Sequence, residues 1–130
     1  MQIKPFLFFN GRCEEAIEFY RGALGAETTM VVRYKDSPKP PPSSEEKVMY
    51  ASVKIGETTV LMSDGHSFDG PNFAGFALSL TVPEVAEAER LFAALGDGGE
   101  VCQAMAEMHF SPRFGMVTDR FGVLWMVYVE

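Results

Sequence analysis

A chain of 130 residues, 47% hydrophobic and 22% charged, reaches ordinary domain size once and carries enough apolar material for a buried core, which excludes disorder as a description of the whole. Eighteen acidic against eleven basic residues leave a net charge of −7, the wrong balance for gripping a phosphate backbone with clustered Lys and Arg, so nucleic acid drops out as a partner. Two cysteines, Cys13 and Cys102, and two histidines, His66 and His109, make neither a disulfide framework nor a zinc ribbon, and both thiols read as free and buried. Near the start the longest apolar run is Pro5 to Phe9, too short for a signal-peptide core or a membrane span. No membrane partner is expected, and a reducing, cytoplasmic compartment is the default.

Gln2 to Phe9 reads as an aromatic strand that ends at Asn10-Gly11. From Arg12 to Leu24 the spacing becomes helical: Cys13, Ala16, Ile17, Tyr20 and Leu24 share a face, Glu14 and Glu15 suit the amino-terminal dipole, and Gly25 stops the helix. Thr28 to Tyr34 is a β-branched strand. The Pro-rich stretch from Lys35 to Ser44 is a solvated excursion, because prolines remove donors. Val48 to Ile55 and Thr58 to Met62 form a hairpin about Gly56-Glu57, and Ser63 to Asn72 is a turn-rich loop. The order then repeats. Phe73 to Val82 reads as a strand, and Thr81-Val82-Pro83-Glu84 has the form of a capping box. Val85, Ala88, Leu91, Phe92 and Leu95 make a helical face closed at Gly96, and strands follow at Glu100 to Met105, Phe114 to Thr118 and Val123 to Val129. Ile55-Gly56 and Val60-Leu61-Met62 are echoed by Phe121-Gly122 and Leu124-Trp125-Met126.

The chain is therefore one domain of two β-α-β-β-β modules, about residues 1–64 and 73–130. Each module alone is a small sheet with a helix on one face, and a sheet needs cover on the other. An α+β fold of two βαβββ modules, whose curled mixed sheets form a cleft, answers that need. The cleft is where function is expected.

The segments FLFFNG at 6–11, EEAIEFYRGALGA at 14–26, Ile55-Gly56 with LMSD at 61–64, and above all GMVTDRFGVLWM at 115–126 resemble the PhnB-like branch of the vicinal oxygen chelate superfamily. This branch is often labelled demethylubiquinone-methyltransferase-like, and the superfamily includes glyoxalase I, extradiol dioxygenases and bleomycin-resistance proteins. The resemblance implies a glyoxalase/bleomycin resistance-like fold and a homodimer. In metal-dependent members, His or Glu on the first and last strand of each module face one ion. Those places here fall on Pro5, Met62, Phe76 or Ala77, and Met126, none of them a ligand for zinc, nickel or ferrous iron. Neither a metal nor another cofactor is expected. His66, His109, Asp64 and Glu107 remain as material for a non-standard site, and Tyr50 stands where related sequences often have histidine.

Resemblance and strand parity together give Tyr50, Met62, Asp64, His66, Phe76, His109, Arg113 and Trp125 as candidate ligand-binding residues, with Ser52, Met108 and Met116 beside them. Methionine offers a flexible apolar lining, and Tyr and Trp add stacking faces with a polar handle. His109 sits in a segment, Met108 to Pro112, that reads as a lid. Gly96-Asp97-Gly98-Gly99 follows a helix and so reads as a helix terminus, which gives methyl transfer no nucleotide-type loop. The reading is a metal-independent small-molecule binding protein of the glyoxalase/bleomycin-resistance type. Two alternatives stand: a lyase, isomerase or transferase using Tyr50, His109 or Asp64 as acid and base, and a folded dimer whose role is interaction. No catalytic residue is assigned.

Overall fold

The structure, a computed structural model, describes residues 1–38, 45–65 and 72–130. The chain divides into two units, Met1–Pro71 and Asn72–Glu130. His66 and most of the turn-rich loop around it lie outside the described residues, as does the end of the Pro-rich stretch.

The first unit runs β1 (Phe6–Phe8), α1 (Cys13–Leu24), β2 (Glu27–Arg33), β3 (Val48–Ile55) and β4 (Thr58–Ser63). Its sheet has the order β1-β4-β3-β2, with β1 parallel to β4 and the other pairs antiparallel. The first strand is shorter than the aromatic pattern implies. Pro5 has no N–H for the ladder and contributes only its carbonyl, which accepts from Leu61 N at 2.8 Å. Helix α1 buries Cys13, Ala16, Ile17, Tyr20 and Ala23, and Gly25 ends it in the left-handed region at φ +69°. Beneath the helix the buried row of the sheet is Leu7, Met62, Ala51.

The second unit runs β5 (Leu78–Val82), α2 (Val85–Leu95), β6 (Glu100–Met108), β7 (Ser111–Thr118) and β8 (Leu124–Val129), in sheet order β5-β8-β7-β6. Again the outer parallel pair, β5 with β8, joins antiparallel neighbours. The architecture is α+β: two units, each a four-stranded mixed sheet with one helix. Helix α2 packs so closely that a Cβ on Gly115 would lie 2.7 Å from Met105 Sδ and 2.8 Å from Phe92 Cε2. Gly99 is forced in the same way, since its Cβ would stand 2.1 Å from the Thr118 carbonyl oxygen. The glycine cluster is thus the end of α2 packed on a strand terminus.

Three sequence expectations are corrected in this unit. Phe73 to Ala77 precede β5 instead of extending it. The capping box does not form, because α2 begins after Glu84 and leaves Thr81 within β5. Strand β6 continues to Met108, which pairs with Ser111 and leaves only His109 and Phe110 as a two-residue turn. Ser111 Oγ donates to Val129 O at 2.6 Å, so this segment is a pinned hairpin and no lid.

The repeat also has a different parity from the echo in the sequence. Met62 lies on the helix side of its sheet, paired with Leu7, whereas Met126 lies on the opposite side and Trp125 faces the helix, paired with Leu78. The two hairpins explain it. Ile55 and Thr58 close a two-residue turn from the helix side, while Thr118 and Leu124 close a five-residue turn from the other side, with Gly122 inside it. Met62 and Met126 are therefore not equivalent.

Two buried carboxylates hold these connections. Asp64 accepts from Cys13 N at 2.8 Å and from Val48 N at 2.7 Å, tying the start of α1 to the start of β3. Arg12, at the N-cap position, contributes no capping side-chain bond, so the helix takes its cap from a residue 51 positions away. Asp119 accepts from Phe121 N at 2.9 Å, Val123 N at 3.1 Å and Trp125 Nε1 at 2.9 Å. At the sheet edges β2 and β6, pairing slips out of register twice and three times respectively.

Of the two thiols expected to be buried, Cys13 is buried and Cys102 is exposed. Burial, with the Asp64 and Glu14 carboxylates adding to it, pushes the Cys13 thiol up from 9.0 to about 12. Replacing Asp64 by Ala leaves two buried N–H groups without an acceptor and should cost about 2–4 kcal/mol, read as a lower urea midpoint. Equal stability of Asp64→Ala and wild type would refute the clamp. The raised Cys13 pKa means that the unfolded chain ionises first as pH rises, so its contribution to stability is present below pH 9.0 and is lost from there towards about 12. At neutral pH a thiol reagent should label Cys102 alone in the folded protein and both cysteines after denaturation, counted by mass spectrometry.

Candidate functional site

Alternation along a strand sends one set of side chains to the helix and the other to the opposite, open face of the sheet. On the open face of the first sheet, one row reads Phe6, Leu61, Ser52, Met30 across β1, β4, β3 and β2. The next places Ser63, Tyr50 and Val32 beside Phe8. Phe6 stacks on Phe8 with centroids 4.9 Å apart and meets the Tyr50 ring at 6.2 Å. Phe6 and Phe8 each keep 39% of their surface exposed, so this aromatic cluster is reachable.

The open face of the second sheet is more polar. One row is Thr81, Tyr128, Phe114, Ala106 across β5, β8, β7 and β6, and the next is Ser79, Met126, Met116, Gln103. Rings continue along it: Phe114 to Tyr128 at 6.1 Å, Phe110 to Phe114 at 5.1 Å and His109 to Phe110 at 5.2 Å. The neighbouring hydroxyls of Thr81 and then Ser79 draw the Tyr128 phenol below the ordinary tyrosine range, while burial and the Glu130 carboxylate work against them.

The candidate residues from the sequence separate into groups. Tyr50 stands in the ring cluster of the first sheet, with Ser52 in the adjoining row. His109 is exposed at the hairpin tip, in edge contact with Phe110. Phe76 is 43% exposed in the segment before β5. Four others have different tasks. Met62 is fully buried on the helix side. Asp64, 3% exposed, has both carboxylate oxygens engaged by backbone N–H groups. Trp125 is buried with its indole N–H on Asp119, a consequence of the parity of β8. Arg113 Nε donates to Glu89 Oε1 at 2.9 Å, pairing β7 with α2 at the surface. His66 lies outside the described residues.

Sequence pattern alone does not single out Tyr128, Ser79 and Thr81: two hydroxyls spaced i, i+2 on a strand are a weak signal, and the capping pattern from Thr81 to Glu84 competes for Thr81. A shallow cavity of about 300 Å³ lined by Leu24, Gly25, Glu27, Lys54 and Gly56 contains none of the candidates.

The ion held by metal-dependent relatives needs imidazole or carboxylate donors converging on one point. Among the described residues no three of His, Cys, Asp and Glu come together in that way. The open-face rows supply hydroxyl, thioether and aromatic groups instead, a donor set that does not fit a divalent ion of that kind. Among the described residues no helix is long and apolar enough to cross a membrane.

A family model described as 3-demethylubiquinone-9 3-methyltransferase matches residues 1–128. Among similar proteins, the crystal structure of PA1353 from Pseudomonas aeruginosa is 40% identical and superposes with a TM-score of 0.90 over all of this chain and 98% of that one. Protein YjdN of Escherichia coli (strain K12) is 33% identical over 140 residues, spanning 99% of this chain and 95% of YjdN. The PhnB protein of Bacillus cereus, 24% identical over the whole of both chains, shares the fold at a TM-score of 0.85. So does the fosfomycin resistance protein FosX of Listeria monocytogenes, at 0.71 and 11% identity over 98% of this chain and 91% of FosX. With the family model matching residues 1–128, the chain belongs to the 3-demethylubiquinone-9 3-methyltransferase-like family.

Proposed function

We propose that this protein binds a small molecule, in the manner of the glyoxalase/bleomycin-resistance type, without a resident metal, and that the ligand meets it on the open sheet faces. The observation that carries the reading is the composition of those faces. Reachable rings at Phe6, Phe8 and Tyr50 adjoin Leu61 and Met30 in one sheet, and Met126 and Met116 lie beside Tyr128 and Phe114 in the other. Aromatic and thioether side chains make a surface for flat, mainly apolar ligands, and the few hydroxyl groups provide orientation. The family description names a methyl transfer. The glycine cluster at 96–99, engaged in closing α2 against β7, gives that chemistry no support here, and kinship of fold does not assign a reaction.

A thermal-shift screen of small aromatic compounds tests the reading. At saturating compound, a rise in Tm of several degrees is expected in the presence of EDTA and unchanged by added nickel or zinc. Stabilisation that appears only with metal, or stoichiometric metal in the purified protein, would overturn metal independence. No response from any compound would favour a purely interacting role. The proposal also includes a homodimer in a reducing compartment, where two free thiols are at home. Light scattering should give twice the chain mass of 14.4 kDa, and a monomer at micromolar concentration would contradict it.

A further inference from the structure

The turn between β1 and α1 is built on the dipeptide Asn10-Gly11. Arg12 N donates to Phe9 O at 3.2 Å, and Asn10 at φ +49° and Gly11 at φ +92° both stand in the left-handed region, as the central residues of a type I′ turn must. Among the described residues Asn10 is the one non-glycine with a positive φ. Asparagine tolerates that conformation and glycine adopts it freely, so the connection favours this pair. The same pair is chemically fragile, because an asparagine side chain reaches the next backbone nitrogen most easily when that residue has no Cβ to shield it.

Asn10 is exposed, so water has access to its amide. The nitrogen is what holds the reaction back. Gly11 N donates to Asp64 O at 3.2 Å, on the same residue whose carboxylate accepts from Cys13 N at 2.8 Å. We propose that Asn10 is a site of spontaneous deamidation, guarded in the folded protein by the hydrogen bond from Gly11 N to Asp64 O, and that its conversion releases the clamp that opens α1. Once that bond opens, Gly11 N gives its proton to solvent and bonds to Asn10 Cγ; the bond from Cγ to the amide nitrogen breaks, and ammonia leaves with a proton taken from solvent. Water then opens the cyclic imide at either carbonyl and leaves aspartate or isoaspartate at position 10. The isoaspartyl form carries an extra carbon in the main chain before Gly11 N. That insertion displaces Gly11 N from Asp64 O and draws Cys13 N away from Asp64 Oδ1.

The second asparagine, Asn72, precedes Phe73 and serves as an internal control. Wild type is incubated in mildly alkaline buffer with and without denaturing guanidinium chloride, then digested and mapped by mass spectrometry, with aspartyl and isoaspartyl peptides separated chromatographically. In denaturant Asn10 should convert well ahead of Asn72. In the native protein its conversion should be at least about tenfold slower, the protection expected of turn hydrogen bonds that must open first. Isoaspartyl chains from the denatured sample, once refolded, should expose Cys13 to a thiol reagent at neutral pH, whereas Asn10→Asp, with the new charge on an unaltered main chain, should leave it protected. Failure of the isoaspartyl chain to refold where wild type and Asn10→Asp succeed supports the same conclusion. Conversion of Asn10 no faster than Asn72 in denaturant overturns the site, and equal rates in the two conditions overturn the guard. Protection of Cys13 in the isoaspartyl chain, or its labelling in Asn10→Asp as well, overturns the release of the clamp by a lengthened turn.

Discussion

Everything in the first unit depends on a carboxylate that must be buried. Asp64 stands at the end of β4 with both oxygens spent on backbone N–H groups, one opening α1 and one opening β3. Three chain segments far apart in sequence meet at one side chain, and none could end or begin there without leaving an orphan donor in the interior. Asp119 performs the related service in the second unit, where it orders the turn into β8 and fixes the indole of Trp125. An acidic residue of this kind is bound so fully by the fold that it has nothing left to offer a ligand.

The consequence for chemistry is a division of labour between the sides of each sheet. Helix-facing rows such as Leu7, Met62, Ala51 form the core, and the opposite rows are left on the open face. Although the two units repeat one order of elements, their open rows differ. The first offers Phe, Leu, Ser and Met with a tyrosine among the rings, and the second offers a hydroxyl pair around a phenol. The open rows named here are neutral, a composition in keeping with the small-molecule binding proposed above.

Much of this was legible in the sequence. The face of α1, its stop at Gly25 and the β3–β4 hairpin followed from periodicity and glycine placement, and the family followed from the motif at 115–126. What was not legible depended on distance and parity. No local pattern shows that Asp64 caps a helix 51 residues before it. The echo of Leu61-Met62 in Trp125-Met126 was convincing as letters and misleading as geometry, because the turns closing the two hairpins have different lengths and start from different sides. A shift of one residue exchanges core for surface, and for that reason Trp125 appeared as a ligand contact when it is a core residue. Thr81 was lost by a similar route, since a four-residue capping pattern outweighed its place in β5.

The irregular outer strands have a bearing on how this protein behaves in a crowded solution. β2 and β6 carry exposed apolar side chains, Met30, Val31 and Val101 among them, on edges that an unpaired strand from another molecule could extend. Their repeated slips of register break the even row of donors and acceptors that such an extension requires, and they twist the edge away from a flat template. The bulges therefore act as guards against aggregation, and they allow these strands to stay oily without turning the sheet into a seed for fibres.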